Sequence, residues 1–152
     1  MSIIDQALNN PDENEAIIQI EEYLTSRFDS DQSSLSNIEK NVIYIENLER
    51  EVNNGGIDQF FSNSSGNYAH ETVTALEEIG AQKTSDLLKK AISVFPDGDV
   101  PKDREKRREV MEEIEDDSED TWNELDDKFY EYEDDIPSLI LSYIRSNRKE
   151  FK

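Results

Sequence analysis

Apolar residues recur at helical spacing along almost the whole of this 152-residue chain, and no stretch alternates as a half-buried strand would. Ile17, Ile20, Leu24 and Phe28 make a first stripe. It lies behind Asn10-Pro11, which reads as an N-cap residue followed by proline at the first helical position. Ser36 and Glu39 have the spacing of a capping box, after which Ile38, Val42, Ile45 and Val52 fall on one face. Val42-Ile43-Tyr44-Ile45 alone would suit a strand, but its flanks keep the helical period. Asn54-Gly55-Gly56 stops this helix. Ile57-Asp58-Gln59-Phe60-Phe61 then predicts one or two turns that bury aromatics, ended by Asn63-Ser64-Ser65-Gly66-Asn67. Ala69, Val73, Leu76 and Ile79 form the next stripe and end at Gly80. Thr84, Leu87, Leu88, Ala91, Ile92 and Phe95 follow, closed by Pro96-Asp97-Gly98.

Pro101 predicts the opening of a long helix with Val110 or Met111, Ile114, Ser118, Thr121 or Trp122, Leu125, Phe129, Tyr132 and Ile136 inward. Ser118 is a candidate N-cap that would divide it, so one helix and two both stay open. Pro137 starts the last helix, with Leu139, Ile140, Tyr143 and Ile144 facing in. Without repeat or linker, the expectation is a single all-α domain over 1–152, a compact bundle of about six to eight helices.

Composition narrows the function. Leu, Ile, Val and Phe together make 37 of 152 residues. That is just above the level of about 20% below which a highly charged chain fails to build a core. With 37 Asp and Glu against 16 Lys and Arg, the net charge of −21 excludes a nucleic-acid binder that works by neutralising phosphates. It equally disfavours an anionic membrane surface. No apolar run approaches the ~20 residues of a membrane span, and Met1-Ser2-Ile3-Ile4-Asp5 lacks the basic start of a signal peptide. The absence of cysteine removes disulfides and thiolate metal sites. A soluble, cytoplasmic protein is expected.

The segment 112–135 carries the strongest functional signal. It holds Glu112, Glu113, Glu115, Asp116, Asp117, Glu119, Asp120, Glu124, Asp126, Asp127, Glu131, Glu133, Asp134 and Asp135 against the single base Lys128, a net of −13 in 24 residues. Because the inner stripe takes Ile114, Trp122, Leu125 and Phe129, these carboxylates belong on the outer face. As one helix the segment would span roughly 36 Å, one net charge per about 2.8 Å. A single DNA strand carries one per about 3.4 Å. Pairs such as Glu109–Glu113, Asp116–Asp120 and Asp120–Glu124 repel one another at i,i+4, so helix stability alone does not favour the pattern. Two readings compete: a solvated face that keeps the chain soluble, and a docking surface for a basic partner, with Glu13, Glu15, Glu21 and Glu22 as auxiliaries.

Other chemistry finds little support. Asp97-Gly98-Asp99 runs into Val100-Pro101, which breaks the calcium-loop pattern. The one histidine, His70, has Asn67 rather than Glu three residues before it, so no di-iron motif forms. No metal or cofactor is therefore expected. No serine sits in Gly-x-Ser-x-Gly, and Gly55-Gly56 and Gly66 lack the lysine of a phosphate loop. The expectation is no catalytic residue and no enzyme. Lys102, Arg104, Lys106, Arg107 and Arg108 form a basic cluster read as i,i+4 pairing with Glu105 and Glu109. Arg145, Arg148, Lys149 and Lys152 suit a C-terminal helix end. The competing reading of both clusters is self-association, with one chain's basic patch on another's acidic face.

The run from Val52 through Asn54-Gly55-Gly56-Ile57-Asp58-Gln59-Phe60-Phe61-Ser62-Asn63 to Gly66-Asn67-Tyr68-Ala69, continuing through Ala75-Leu76-Glu77-Glu78-Ile79-Gly80-Ala81 to Phe95-Pro96, resembles the bacterial DMP-type DNA-mimic proteins. The match is best over residues 36–96 and extends more loosely through Leu125-Asp126-Asp127-Lys128-Phe129-Tyr130 and Tyr143-Ile144. The resemblance implies an all-α fold and a strongly acidic dimer that occupies the DNA-binding surface of a helix-turn-helix transcription factor. The motif residues Asn54, Gly55, Gly56, Gln59, Phe60, Phe61, Asn63 and Gly66 read as fold-making: glycine turns, buried aromatics, and amides that bond loop backbone. Mimicry would live in the surface carboxylates, which the motif does not set. The expected function is thus a non-enzymatic DNA mimic in transcription regulation. Its partner is a basic DNA-binding protein, with no direct nucleic-acid or membrane binding. An immunity-type inhibitor of a basic toxin or nuclease, with Trp122 or Tyr130 as hot spots, is the alternative; an acidic structural protein without mimicry is another.

Overall fold

Side-chain caps decide where most of the helices begin, because a helix leaves its first N–H groups without partners. In the computed structural model, which describes residues 2–152, Ser2 caps α1 (Ile3–Leu8) and Asp12 caps α2 (Glu13–Ser30). Ser36 caps α3 (Asn37–Ser62), Asp103 caps α6 (Arg104–Glu113) and Asp135 caps α8 (Ile136–Ser146). Ser36 and Glu39 complete the expected capping box reciprocally. The other helices are α4 (Ala69–Ile79), α5 (Gln82–Ile92) and α7 (Glu115–Tyr130), so the described residues form eight α-helices and no strand.

Three expectations about helix starts need correction, and one helix goes unread. Asn10-Pro11 does not start α2; Asn10 instead accepts from the Asp12 N–H and donates to Glu15, leaving the cap to Asp12. Pro101 does not start α6, because the nearer Asp103 takes the Glu105 N–H. Ser118 is not a cap: the long helix breaks at Ile114 (φ −100°, ψ 7°), and Ser118 lies buried inside α7. Helix α1 has too few residues to register as a periodic stripe, although Ile4 and Ala7 are fully buried.

Helix α3 is the central post. Helices α2, α4, α6 and α7 pack on it, α5 bridges α4 and α7, and α8 rests on α2 and α4. Gly56 kinks α3 rather than ending it: with φ 82° and ψ −179° it adopts a conformation that side chains resist, and the helix resumes at Ile57. The kink turns Phe60 and Phe61 into the interior, where both are fully buried. Phe61 meets Phe95 at 4.9 Å and Trp122 at 5.0 Å between ring centres, joining α3, the segment that follows α5, and α7. No helix among the described residues is long and apolar enough to cross a membrane.

Candidate partner-binding surface

Helix α7 is anchored from its inner side. Ser118, Trp122, Leu125 and Phe129 are buried against α3 and α5, and the Trp122 indole donates to the Ala91 carbonyl at 3.1 Å. That stripe leaves the opposite face to the acids. Twelve of the fourteen carboxylates of the run are exposed; Asp126 and Asp134 are half-buried.

The two exceptions hold the fold. Asp126 accepts the Ile57 N–H at 2.7 Å, the donor that the Gly56 kink frees. Burial pushes the Asp126 carboxyl up from its ordinary range while this bond works against the rise. Asp134 accepts both the N–H and the hydroxyl of Thr84, at 2.8 and 3.0 Å, and so caps α5 from a distance. Asp135 caps α8 through the Ser138 N–H at 3.3 Å. Glu112 and Glu113 end α6, eight of the acids lie on α7, and Glu131, Glu133, Asp134 and Asp135 lie in the connection to α8.

The exposed carboxylates are left without counter-charges. Among the described residues only Glu133 of the run pairs with a cation, Lys83 at 3.5 Å. The bend at Ile114 replaces the single long rod with a helix of 16 residues. Helix α7 spans about 24 Å and carries eight carboxylates against Lys128, one net charge per about 3.4 Å. Glu115, Asp116 and Asp117 occupy its first turn, where the helix dipole favours anions. Of the auxiliary acids, Glu13, Glu15 and Glu22 are exposed on α2, while Glu21 is tied to Arg50. Helices α2 and α7 both pack on α3.

The basic residues do other work than expected. Arg107 is fully buried and donates to four carbonyls: Phe61 at 2.5 Å, Asn63 at 2.8 Å, Pro101 at 2.9 Å and Lys102 at 3.2 Å. Arg104 and Arg108 each donate to the Ser62 carbonyl at 2.9 Å. Three guanidinium groups thus close the C-terminal end of α3, where free carbonyls concentrate negative potential. Arg107 stands four residues before Met111 on the inner stripe, a position that marks it as inward. Arg148 pairs with Asp5 at 2.6 Å, holding the last helical turn to α1.

Phe61, Asn63 and Gly66 of the motif lie at this same corner. Gly66 must be glycine because a Cβ there would lie 2.6 Å from the Phe61 carbonyl and 2.7 Å from the Arg107 guanidinium. The Gln59 and Asn63 amides both donate to Glu51, at 2.7 and 3.0 Å, while Asn54 and Gly55 are exposed. His70 accepts the Val100 N–H at 3.2 Å. Trp122 is 3% exposed and cannot serve as a contact residue, whereas Tyr130 is 49% exposed with its hydroxyl on the Val52 carbonyl at 2.9 Å. The described residues contain no cluster of three acidic or histidine side chains placed to hold a metal ion.

A model of the DMP19-like protein family matches residues 33–147, which takes in α3 to α8 and the entire acidic run. No curated protein and no solved structure gives a match.

Proposed function

The chain belongs to the DMP19-like protein family, and from that premise we propose that it is a non-enzymatic DNA mimic whose acidic run occupies the DNA-binding surface of a basic protein such as a helix-turn-helix transcription factor. One observation carries the reading. Seven of the run's exposed acids stand on α7, an anchored helix whose linear charge density is near that of a nucleic-acid strand, and among the described residues only Glu133 of the run has a cation partner. A surface kept only for solubility gains nothing from such concentration, since like charges at i,i+4 weaken the helix that bears them. A basic cleft supplies the missing counter-charges, and association is steered by the long-range field.

The test is capture from host lysate at low salt and at ~0.5 M salt, with and without competing duplex DNA. One or two DNA-binding proteins, released by salt and displaced by DNA, are expected. With that partner in hand, converting Glu115, Asp116, Glu119, Asp120 and Glu124 stepwise to Gln or Asn should weaken binding at each step. Affinity unchanged after four such changes would sink the mechanism. Tyr130, half-exposed beside Asp126 and Asp127, is the aromatic available to the toxin-inhibitor alternative. In that case the captured protein would be a nuclease or toxin blocked at its catalytic site.

A further inference from the structure

A second cluster of acids lies where α2, α3 and the α7–α8 connection meet. Glu46 is 8% exposed, and its Oε1 has no N–H or O–H donor among the described residues. Glu49 stands one turn further along α3, on the same side of the helix as Glu46. A buried carboxyl with no cation partner among the described residues, beside a second carboxyl, is held as the neutral acid, whose hydroxyl can donate to its neighbour. Glu49 also accepts the Tyr132 hydroxyl at 3.0 Å, and Asn53 donates to the same hydroxyl at 2.8 Å. Tyr132 has φ 47°, a left-handed conformation that an aromatic residue adopts only when its surroundings hold it there.

We propose that one proton shared by Glu46 and Glu49 latches the Tyr132 turn, and with it the C-terminal end of the acidic run, to α3. The charged and titratable groups that face the pair are Glu21 on α2, Arg50 on α3 and Tyr132. Arg50 offsets the pair only in part, because Glu21 and Asn47 take its guanidinium. Burial first, and then the neighbouring Glu49, favour the protonated form of Glu46 well above the ordinary carboxyl range. In that state the Glu46 hydroxyl donates to the Glu49 carboxylate, which accepts from Tyr132 as well. Loss of the proton sets two carboxylates against each other. Glu46 is enclosed and Glu49 half-buried, so Glu49, the nearer of the two to solvent, turns outward and the Tyr132 bond breaks. The segment thereby loosened carries Glu131 and Glu133, while Asp134 stays on Thr84 and Asp135 on Ser138. The device concerns the fold alone and does not depend on the identity of a partner.

Carboxyl-carbon NMR titration of the intact protein tests the shared proton directly. One of Glu46 and Glu49 should titrate far above the ordinary range; midpoints for both near about pH 4.5 overturn the proposal. Hydrogen exchange of the Tyr132 amide, corrected for its intrinsic rate, reads the latch. Protection should fall about tenfold or more between about pH 7 and pH 10. Glu46→Gln replaces the proton by an amide donor, so its protection should stay level over that range. Tyr132→Phe should show the low protection from the start. Parallel loss in the native protein and Glu46→Gln, or full protection in Tyr132→Phe, would overturn the latch.

Discussion

Arg107 shows how much one side chain can organise. A fully buried guanidinium without a carboxylate partner would ordinarily be costly, yet its four carbonyl acceptors and the C-terminal end of α3 supply the opposing potential. Only the planar fork of arginine reaches acceptors on both sides of the corner. Arg107→Ala leaves those carbonyls facing a void and should lower stability by about 3–5 kcal/mol, because several buried acceptors lose their donors at once. Arg107→Lys keeps the charge, but its single ammonium cannot span the acceptors. Urea denaturation should therefore place it well below the native protein, closer to Arg107→Ala. A native-like midpoint for the lysine variant would show that charge alone, not the fork, holds the corner.

Within the elements, the acids of α7 divide into two kinds that respond oppositely to neutralisation. Asp116, Asp120 and Glu124 follow one another at i,i+4 on the exposed face, so Asp120 repels both neighbours. Asp120→Asn should raise stability by a few tenths to about 1 kcal/mol at low salt, a gain that screening removes. Asp126→Ala instead strips the acceptor from the Ile57 N–H at the kink and should cost about 1–2 kcal/mol at any salt. Thermal melts of the two variants at low and high salt would separate them, and a common response would refute the division. Nothing in the sequence distinguishes these acids, because the run looks uniform and Ile57 is 69 positions away. What periodicity does carry is the helix sequence itself: the inner stripes of α2, α3, α4, α5 and α7 all lie inward as spaced. It misplaces the starts of α2 and α6 because a nearby aspartate outcompetes a proline, and it cannot foresee Glu46, whose burial depends on packing between α2, α3 and Tyr132. The fourteen-acid surface is legible by charge alone; which of its members are structural is a tertiary fact.

At the scale of the whole molecule, a net charge of −21 on one small domain makes repulsion a general opponent of compactness. Two mechanisms then push stability in the same direction with pH. Acidification reduces surface repulsion as carboxylates begin to protonate. Independently, Glu46 and Glu49 both favour the proton more in the folded chain than in the unfolded one, chiefly because burial disfavours their charged forms. A group of raised pKa contributes its stability fully below the ordinary carboxyl range, and that contribution drains away as pH climbs through the raised value. Asp5, which the Arg148 hydrogen bond holds below its ordinary range, works the other way but only in stronger acid. Melting temperature should therefore rise as pH falls from about 8 to about 5.5. Salt separates the two causes, because at ~1 M the screening length of about 3 Å suppresses repulsion between surface carboxylates but scarcely reaches an enclosed pair. The slope should thus shrink in high salt without vanishing, and Glu46→Gln should remove most of what survives. If high salt flattened the native profile completely, surface repulsion would be the whole cause, and the buried pair would contribute nothing to the balance between folded and unfolded chain.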